Sequence, residues 1–310
     1  MKETQLLFIE DLGVSQGLIA KLALSMDMPF ELMWDPELAD TDRVEVIVTV
    51  KKKVDAELLK KFHRVKVVAV AFTGYDTVDL RFCKEHDIAV YNVPVYSTKS
   101  VSELTLGLAI GLLRQIPQAY QMLKTGGWEG GPGIELSGKT VGILGTGTIG
   151  MNTARLFKAF GCEIVGWSRT EKEEFRQLGG TYLTQLEDFF EVSDIVTLNV
   201  PLNDKTRGMI GREAFKAMKK TAYLINTARG PIVQEDDLIR ALQEGEIAGA
   251  GIDVFDQEPL PKDHSLLALD KVILTPHIAY KTEEALNRRA RTTLENIRNY
   301  YQNDSTNRVA

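Results

Sequence analysis

A glycine-rich turn between two short apolar runs limits the folds open to this chain more than any other feature. Residues 138–170 read GKTVGILGTGTIGMNTARLFKAFGCEIVGWSRT. The run at 141–144 has the length and apolarity of a strand buried in a parallel sheet. Gly145, Gly147 and Gly150 follow as G-x-G-x-x-G, with Thr148 and Ile149 opening a helical pattern that continues to about 160. Residues 164–167 then read as the next strand. Strand, glycine turn, helix and strand in this order is the context of a dinucleotide-binding turn. Gly145 permits the tight turn, Gly147 lets backbone approach a pyrophosphate, and Gly150 lets helix and strand pack closely. The helix start presents N–H groups and a positive dipole to phosphate.

About twenty residues past the first glycine of such a turn, a carboxylate normally holds the ribose 2′-hydroxyl. Here the strand ends in Ser168, Arg169 and Thr170. Two hydroxyls and a guanidinium suit a 2′-phosphate, because arginine meets phosphate through a planar fork. The reading is therefore a nicotinamide site that favours NADP(H), with NAD(H) as the alternative.

The rest of the chain fits an α/β protein. Apolar runs at 5–9, 44–50, 65–71 and 88–91 alternate with helical patterns at 18–26, 56–62 and 80–86, as in a small doubly wound unit. Ser100 and Glu103 form a capping-box pattern opening a helix through about 114, which Pro117 is expected to kink. Further strands are expected at 195–200, 223–226, 249–254 and 272–275, with helices at 213–219 and 235–243 between them. The amphipathic segment 282–301 has no strand beside it and is expected to cross back and complete the first unit.

The 43 acidic and 37 basic residues give a net charge of −6, which argues against non-specific nucleic-acid binding. Two cysteines, Cys83 and Cys162, give neither a disulfide framework nor a metal site. The acidic N-terminus is unlike a signal peptide, and no apolar run reaches membrane-spanning length. A reducing cytoplasm is the expected location.

Three charged residues follow strands of the second unit: Arg229 in INTARG, Glu258 in DVFDQEP and His277 in TPHIA. Ligands of open parallel sheets bind beyond the carboxyl ends of the strands, so these residues and the glycine turn share one end. Carbonyl reduction needs such a set. Histidine supplies a proton near neutral pH. A carboxylate partner favours its protonated form and fixes its tautomer. A guanidinium grips a substrate carboxylate and polarises the neighbouring carbonyl. Asp253, at the end of a strand, either caps a turn or accepts from the nicotinamide amide. His63, His86 and His264 lie in polar stretches and read as solvated.

Seven stretches in order resemble the D-isomer-specific 2-hydroxyacid dehydrogenase family over essentially the whole chain. They are AFTGYDTVDL, SVSELTLGLAIGLLR, GKTVGILGTGTIG, VPLNDKTRGMI, LINTARG, GAGIDVFDQEPLP and TPHIA. The nearest branch in appearance is that of glycerate dehydrogenases and hydroxypyruvate or glyoxylate reductases. The resemblance implies two doubly wound parallel-sheet domains. A flavodoxin-like substrate domain would comprise 1–99 and 282–310, and a Rossmann cofactor domain 100–281. It also implies a homodimer built on the cofactor domains and a small 2-keto or 2-hydroxy acid as substrate.

By the same resemblance, Arg229 binds the substrate carboxylate, and Glu258 pairs with the acid–base His277. Thr73 and Gly74 match a carboxylate-binding loop. Thr105, Val200, Pro201, Thr227 and Asp253 match cofactor-contacting positions. Lys51, Lys52 and Lys53 read as a solvated run or, alternatively, as receivers of a phosphorylated substrate, as in a phosphoglycerate dehydrogenase. Corepressors of the C-terminal-binding-protein type share the triad and are the non-enzymatic alternative. The absence of long tails favours an enzyme.

Overall fold

The computed structural model describes residues 4–310. Residues up to Ser97, together with Lys281–Ala310, form one compact unit, and Thr98–Tyr280 forms the other.

In the first unit the chain runs β1 (Thr4–Phe8), α1 (Gln16–Ser25), β2 (Phe30–Met33), β3 (Val44–Thr49), α2 (Ala56–Leu59), β4 (Val67–Val70), α3 (Leu80–Glu85) and β5 (Ala89–Asn92). The strands are all parallel, in the order β2-β1-β3-β4-β5. Both β3 and β4 are buried along their whole length, which is why their sequences are continuous apolar runs instead of alternating ones. Sequence pattern misses β2. It lies at the sheet edge with every residue half-buried, so it lacks an apolar run.

The second unit opens with α4 (Thr98–Leu113) and α5 (Ile116–Lys124). The expected capping box is not formed, because α4 already begins at Thr98 and Ser100 is buried inside it. The Ser102 hydroxyl bonds back to the Thr98 carbonyl at 2.8 Å. Pro117 does not kink one long helix. Gln115 adopts a left-handed conformation (φ 50°) that separates two helices, and Pro117 lies in the first turn of the second, where its missing N–H costs nothing.

There follow β6 (Thr140–Leu144), α6 (Thr148–Ala159), β7 (Glu163–Trp167), α7 (Glu173–Gln177), β8 (Thr181–Tyr182), α8 (Leu186–Val192) and β9 (Ile195–Leu198). Then come α9 (Arg212–Ala217), β10 (Tyr223–Asn226), α10 (Glu235–Glu244), β11 (Gly249–Ile252) and β12 (Val272–Leu274). The seven strands are parallel in the order β12-β11-β10-β9-β6-β7-β8. The order reverses between β6 and β9, which places the topological switch point beside the glycine turn. The architecture is therefore α/β with two doubly wound parallel sheets.

The last helix, α11 (Glu283–Tyr301), returns to the first unit and packs on β4, β5 and α1. Thr282 caps it by accepting from the Ala285 N–H. Beyond it, Val309 N–H donates to the Val90 carbonyl at 2.8 Å. The amphipathic pattern has a direct cause: Ala285, Leu286, Ala290, Leu294 and Ile297 face the sheet.

At the far end of α11 the Tyr301 hydroxyl donates to Glu45 on β3 at 3.1 Å. The buried Glu45 carboxylate also accepts from Arg64 at 2.7 Å and Lys66 at 3.0 Å. Partial burial, and then the Glu45 charge and its bond to the phenol, hold Tyr301 well above the ordinary tyrosine range. A raised acid favours the folded state fully below its unfolded pKa of about 10. That contribution is lost as pH rises toward the folded value, because the unfolded chain then releases the proton first. Tyr301→Phe should accordingly flatten the alkaline fall of the thermal midpoint from about pH 10 upward. An unchanged alkaline slope would show that this phenol does not link α11 to β3 through a proton.

Candidate active site

The glycine turn sits at the carboxyl end of β6. Gly145 has φ 94°, and its N–H donates to the Trp167 carbonyl at the end of β7 at 2.8 Å. A Cβ on Gly150 would lie 2.0 Å from the Gly145 carbonyl oxygen, so only glycine lets α6 approach the turn this closely. A Cβ on Gly147 would meet nothing within 4 Å. Gly147 and Thr148 are exposed and Ile149 half-buried, and no side chain caps the start of α6. Open space over uncapped N–H groups fits a bound pyrophosphate. The residues present therefore suit a dinucleotide.

Ser168 is half-buried, and Arg169 and Thr170 are exposed, just past the end of β7. The nearest carboxylate in sequence, Glu171, is paired with Arg176. On the other side of the turn, half-buried Val200 reaches Gly145, where an added Cβ would come within 2.8 Å of its Cγ1. Pro201 is exposed beside it. Buried Thr105 of α4 lies 3.0 Å from the Thr227 hydroxyl. Thr105 already donates to the Val101 carbonyl at 2.8 Å, so Thr227 is the donor of that pair.

Arg229 lies in a loop held by buried Asn226. The Asn226 amide donates to the Arg229 carbonyl at 3.0 Å and its oxygen accepts from the Ala228 N–H at 3.0 Å. The next residue, Gly230, touches the 255–256 backbone: an added Cβ would fall 2.1 Å from the Phe255 carbonyl carbon. That close approach brings the arginine loop against the loop carrying Glu258. The Glu258 carboxylate accepts from the Phe255 N–H at 3.2 Å and meets His277 Nδ1 at 2.6 Å. An ionised carboxylate only accepts, so Nδ1 carries the proton. The two side chains are 32% and 13% exposed, which shields the pair from water without sealing it. Tyr280 packs edge-on against the His277 ring at 5.7 Å.

His277 itself has φ 51°, unusual for a residue with a side chain. Asp253, fully buried, holds it there. Its carboxylate accepts from the Thr275 hydroxyl at 2.6 Å and from the Ile278 and Ala279 N–H groups, each at 2.9 Å. Its carbonyl accepts from the His277 N–H at 2.8 Å. Burial pushes the Asp253 carboxyl above its usual range, against the pull of those three donors and of His277. Of the two readings of Asp253, the turn-holding one describes these bonds.

One expectation changes. His264 is not solvated: its Nε2 meets Glu235 at 2.8 Å and its Nδ1 accepts from the Leu266 N–H at 3.3 Å. It ties the loop after Glu258 to the start of α10. The lysine run keeps its solvated reading: Lys52 and Lys53 are exposed, and Lys53 Nζ pairs with Asp55 at 3.0 Å. One oxygen of Glu10 accepts from the N–H groups of Val50, Lys51 and Lys52 at 2.9, 2.6 and 2.7 Å, while Lys51 Nζ lies 5.7 Å over the Phe72 ring. In that same unit Thr73 is exposed and Gly74 half-buried, and the Thr73 carbonyl accepts from Asn92 at 2.7 Å. Sequence pattern does not single out Thr275, Asn226 or Tyr280. Their signal is position beside the charged residues, Asn226 in INTARG, Thr275 in TPHIA and Tyr280 directly after it. Both cysteines are buried, which pushes their thiols up to about 11 and makes them poor nucleophiles.

A doubly wound sheet with a phosphate-binding turn and a His–Glu pair beyond its strands defines a nicotinamide-dependent dehydrogenase. Residues 106–279 match the sequence pattern of the D-isomer specific 2-hydroxyacid dehydrogenase NAD binding domain. A glyoxylate reductase of Thermofilum pendens is 38% identical over 263 residues, covering 83% of this chain and 78% of that protein. A D-3-phosphoglycerate dehydrogenase of Methanocaldococcus jannaschii is 42% identical over 77% of this chain, but over only 46% of its own length. Among solved structures, D-lactate dehydrogenase from Aquifex aeolicus, complexed with NAD and lactic acid, is 30% identical with a TM-score of 0.86, covering 98% of this chain and 99% of that one. A glyoxylate reductase from Paecilomyes thermophila is 28% identical with a TM-score of 0.88, covering 100% and 99%. The chain belongs to the D-isomer-specific 2-hydroxyacid dehydrogenase family and is an NAD(P)-dependent hydroxy acid oxidoreductase.

Asp253→Asn would set an amide NH2 or a weaker acceptor against three donors. The expected result is a loss of about 1–3 kcal/mol in urea unfolding, together with a fall in kcat as His277 leaves its φ 51° conformation. Unaltered stability and turnover would mean that the loop is held by other contacts.

Proposed function

We propose that this protein reduces small, unphosphorylated 2-keto acids, glyoxylate and hydroxypyruvate among them, to D-2-hydroxy acids, with NADPH preferred over NADH. The observation that carries the reading is the Glu258–His277 pair, at 2.6 Å, on a loop set against the arginine loop by Gly230. Arg229 is assigned to grip the substrate carboxylate through two parallel hydrogen bonds and to polarise the adjacent carbonyl. With Nδ1 facing Glu258, His277 gives its Nε2 proton to the carbonyl oxygen, and Glu258 steadies the cation before and the tautomer after. The bound nicotinamide supplies the hydride to the carbonyl carbon. In the first unit, the turn at Thr73 and Gly74 is assigned to carboxylate binding through its backbone N–H groups.

Two observations support the substrate class. Several curated relatives are named glyoxylate reductases, including those of Thermofilum pendens and Aeropyrum pernix. The Glu10 carboxylate already takes up the Val50, Lys51 and Lys52 N–H groups at the base of the lysine run and sets a negative charge there. A second anion there meets repulsion in place of N–H donors. That disfavours the phosphoglycerate dehydrogenase alternative.

The cofactor preference rests on Ser168, Arg169 and Thr170, where no carboxylate repels a 2′-phosphate. We further infer a homodimer. Helix α5 buries none of its residues, and Ile116, Tyr120 and Leu123 stand exposed on it at helical spacing. Trp128 follows, 88% exposed. A second copy of the chain covering this apolar face accounts for it.

The test is steady-state reduction of glyoxylate, hydroxypyruvate, pyruvate and phosphohydroxypyruvate with each cofactor. Phosphohydroxypyruvate as the best substrate would overturn the reading of Glu10. His277→Ala should lower kcat about 100- to 10,000-fold while the cofactor dissociation constant holds; near-normal turnover would remove His277 from the chemistry. NADPH should exceed NADH about 10- to 100-fold in kcat/KM, Ser168→Asp should reverse that order, and Arg169→Ala should weaken NADPH alone. A wild type that prefers NADH would refute the cofactor assignment.

A further inference from the structure

The residues assigned to cofactor choice are anchored at both ends. At one end the Trp167 carbonyl accepts from the Gly145 N–H of the glycine turn at 2.8 Å. At the other, the Lys172 N–H donates to the Tyr182 hydroxyl at 2.9 Å. That same hydroxyl lies 2.7 Å from the hydroxyl of Thr146, the middle residue of Gly145-Thr146-Gly147. One phenol oxygen thus touches the glycine turn and the far end of the loop 168–171 together. It accepts from Lys172 and has its own proton to give to Thr146.

The ring that carries this oxygen is itself fixed. Tyr182 lies on β8, paired with Gly166 of β7, and only 9% of it is exposed. Its ring lies against Gly166, where a Cβ would come within 3.0 Å of it. Phe175 packs at 4.8 Å between ring centroids, and the Arg176 guanidinium lies 5.3 Å over the ring. Arg176 in turn pairs with Glu171 of the loop. A phenylalanine would keep every ring contact and lose only the oxygen.

We propose that Tyr182 is a positioning residue for cofactor discrimination: its hydroxyl, bridging Thr146 and the Lys172 N–H, holds Ser168, Arg169 and Thr170 at a fixed place relative to the glycine turn. It sets the distance between the groups assigned to the pyrophosphate and those assigned to the ribose end. The inference rests on the proposed assignment of 168–170 to cofactor choice. A loop freed at Lys172 loses contacts made only at the ribose 2′ position, while the contacts common to both cofactors stay with the glycine turn. Discrimination therefore falls more than binding itself.

The experiment measures equilibrium dissociation constants of NADPH and NADH by nicotinamide fluorescence, with the thermal midpoint of the free protein. It compares the wild type, Tyr182→Phe, Arg169→Ala and the double variant. Tyr182→Phe should weaken NADPH about 3- to 10-fold and NADH less than about 2-fold, the size of one lost hydrogen bond. In the Arg169→Ala background the same change should move the ratio less, because the charged one of the three groups it positions is gone. Thr146→Val removes the opposite end of the bridge and should shift the ratio in the same direction, which keeps the test open if Tyr182→Phe folds poorly. Equal weakening of both cofactors, or a ratio effect of undiminished size in the double variant, would overturn the proposal and leave Tyr182 a packing residue. The quantity read is each ratio against the wild type's own. A wild type that binds NADH more tightly would overturn the cofactor preference, while Tyr182 would still stand or fall on whether the ratio moves.

Discussion

A single buried carboxylate organises the loop that carries His277 in the second unit. Asp253 has no exposed surface, and a group of its charge is tolerated there only when its oxygens are satisfied. The satisfying donors come from the five residues around His277. The constraint works in both directions. The carboxylate needs those donors, and the loop needs the carboxylate to keep a histidine at φ 51°. The Glu258–His277 bond follows from that arrangement, as does the edge-on packing of Tyr280. Left-handed backbone at a residue with a side chain is sustained only where its surroundings over-determine it, and here the Asp253 carboxylate bonds the loop on both sides of His277.

The parallel sheet then brings the remaining groups to the same end. Six of its seven strands, all but β8, each deliver a different one past the carboxyl terminus: the glycine turn, Ser168 and Arg169, Val200, Arg229, Asp253 with Glu258, and His277. Close backbone contacts at Gly150 and Gly230 decide how tightly these loops approach one another. The first unit uses the same geometry with other chemistry. Its strand ends carry amides and N–H groups, with Asn92 bonding the Thr73 carbonyl and Glu10 closing the turn after β3. The family relationship agrees with this division, since the matched NAD-binding pattern ends at residue 279, where the Asp253-bound loop ends.

What sequence reveals here follows physical range. Buried strands such as β3, β4 and β9 are legible because burial on both faces leaves an uninterrupted apolar run. The glycine turn is legible because its spacing records contacts within a dozen residues. Edge strands β2 and β8 are not, being half-buried or two residues long. The start of α4 is hidden because Ser100 is polar and yet buried inside the helix. Bonds that join distant residues leave no local trace. His264 to Glu235, Glu10 to Lys51 and Tyr182 to Thr146 span 29, 41 and 36 positions. The charged residues beyond the strands could be named, but not the groups that aim them.

The split of the first unit across the sequence also sets an order of assembly on the ribosome. Residues 98–280 have all their sheet partners within their own span and are made before 281–310. The five strands made first must wait for α11, whose Leu294 and Ile297 belong to the core over β4 and β5. Until then an apolar sheet face stays uncovered while nearly two hundred residues emerge. That interval is a window for chaperone capture, and it makes the nascent chain, more than the finished enzyme, the form most exposed to aggregation.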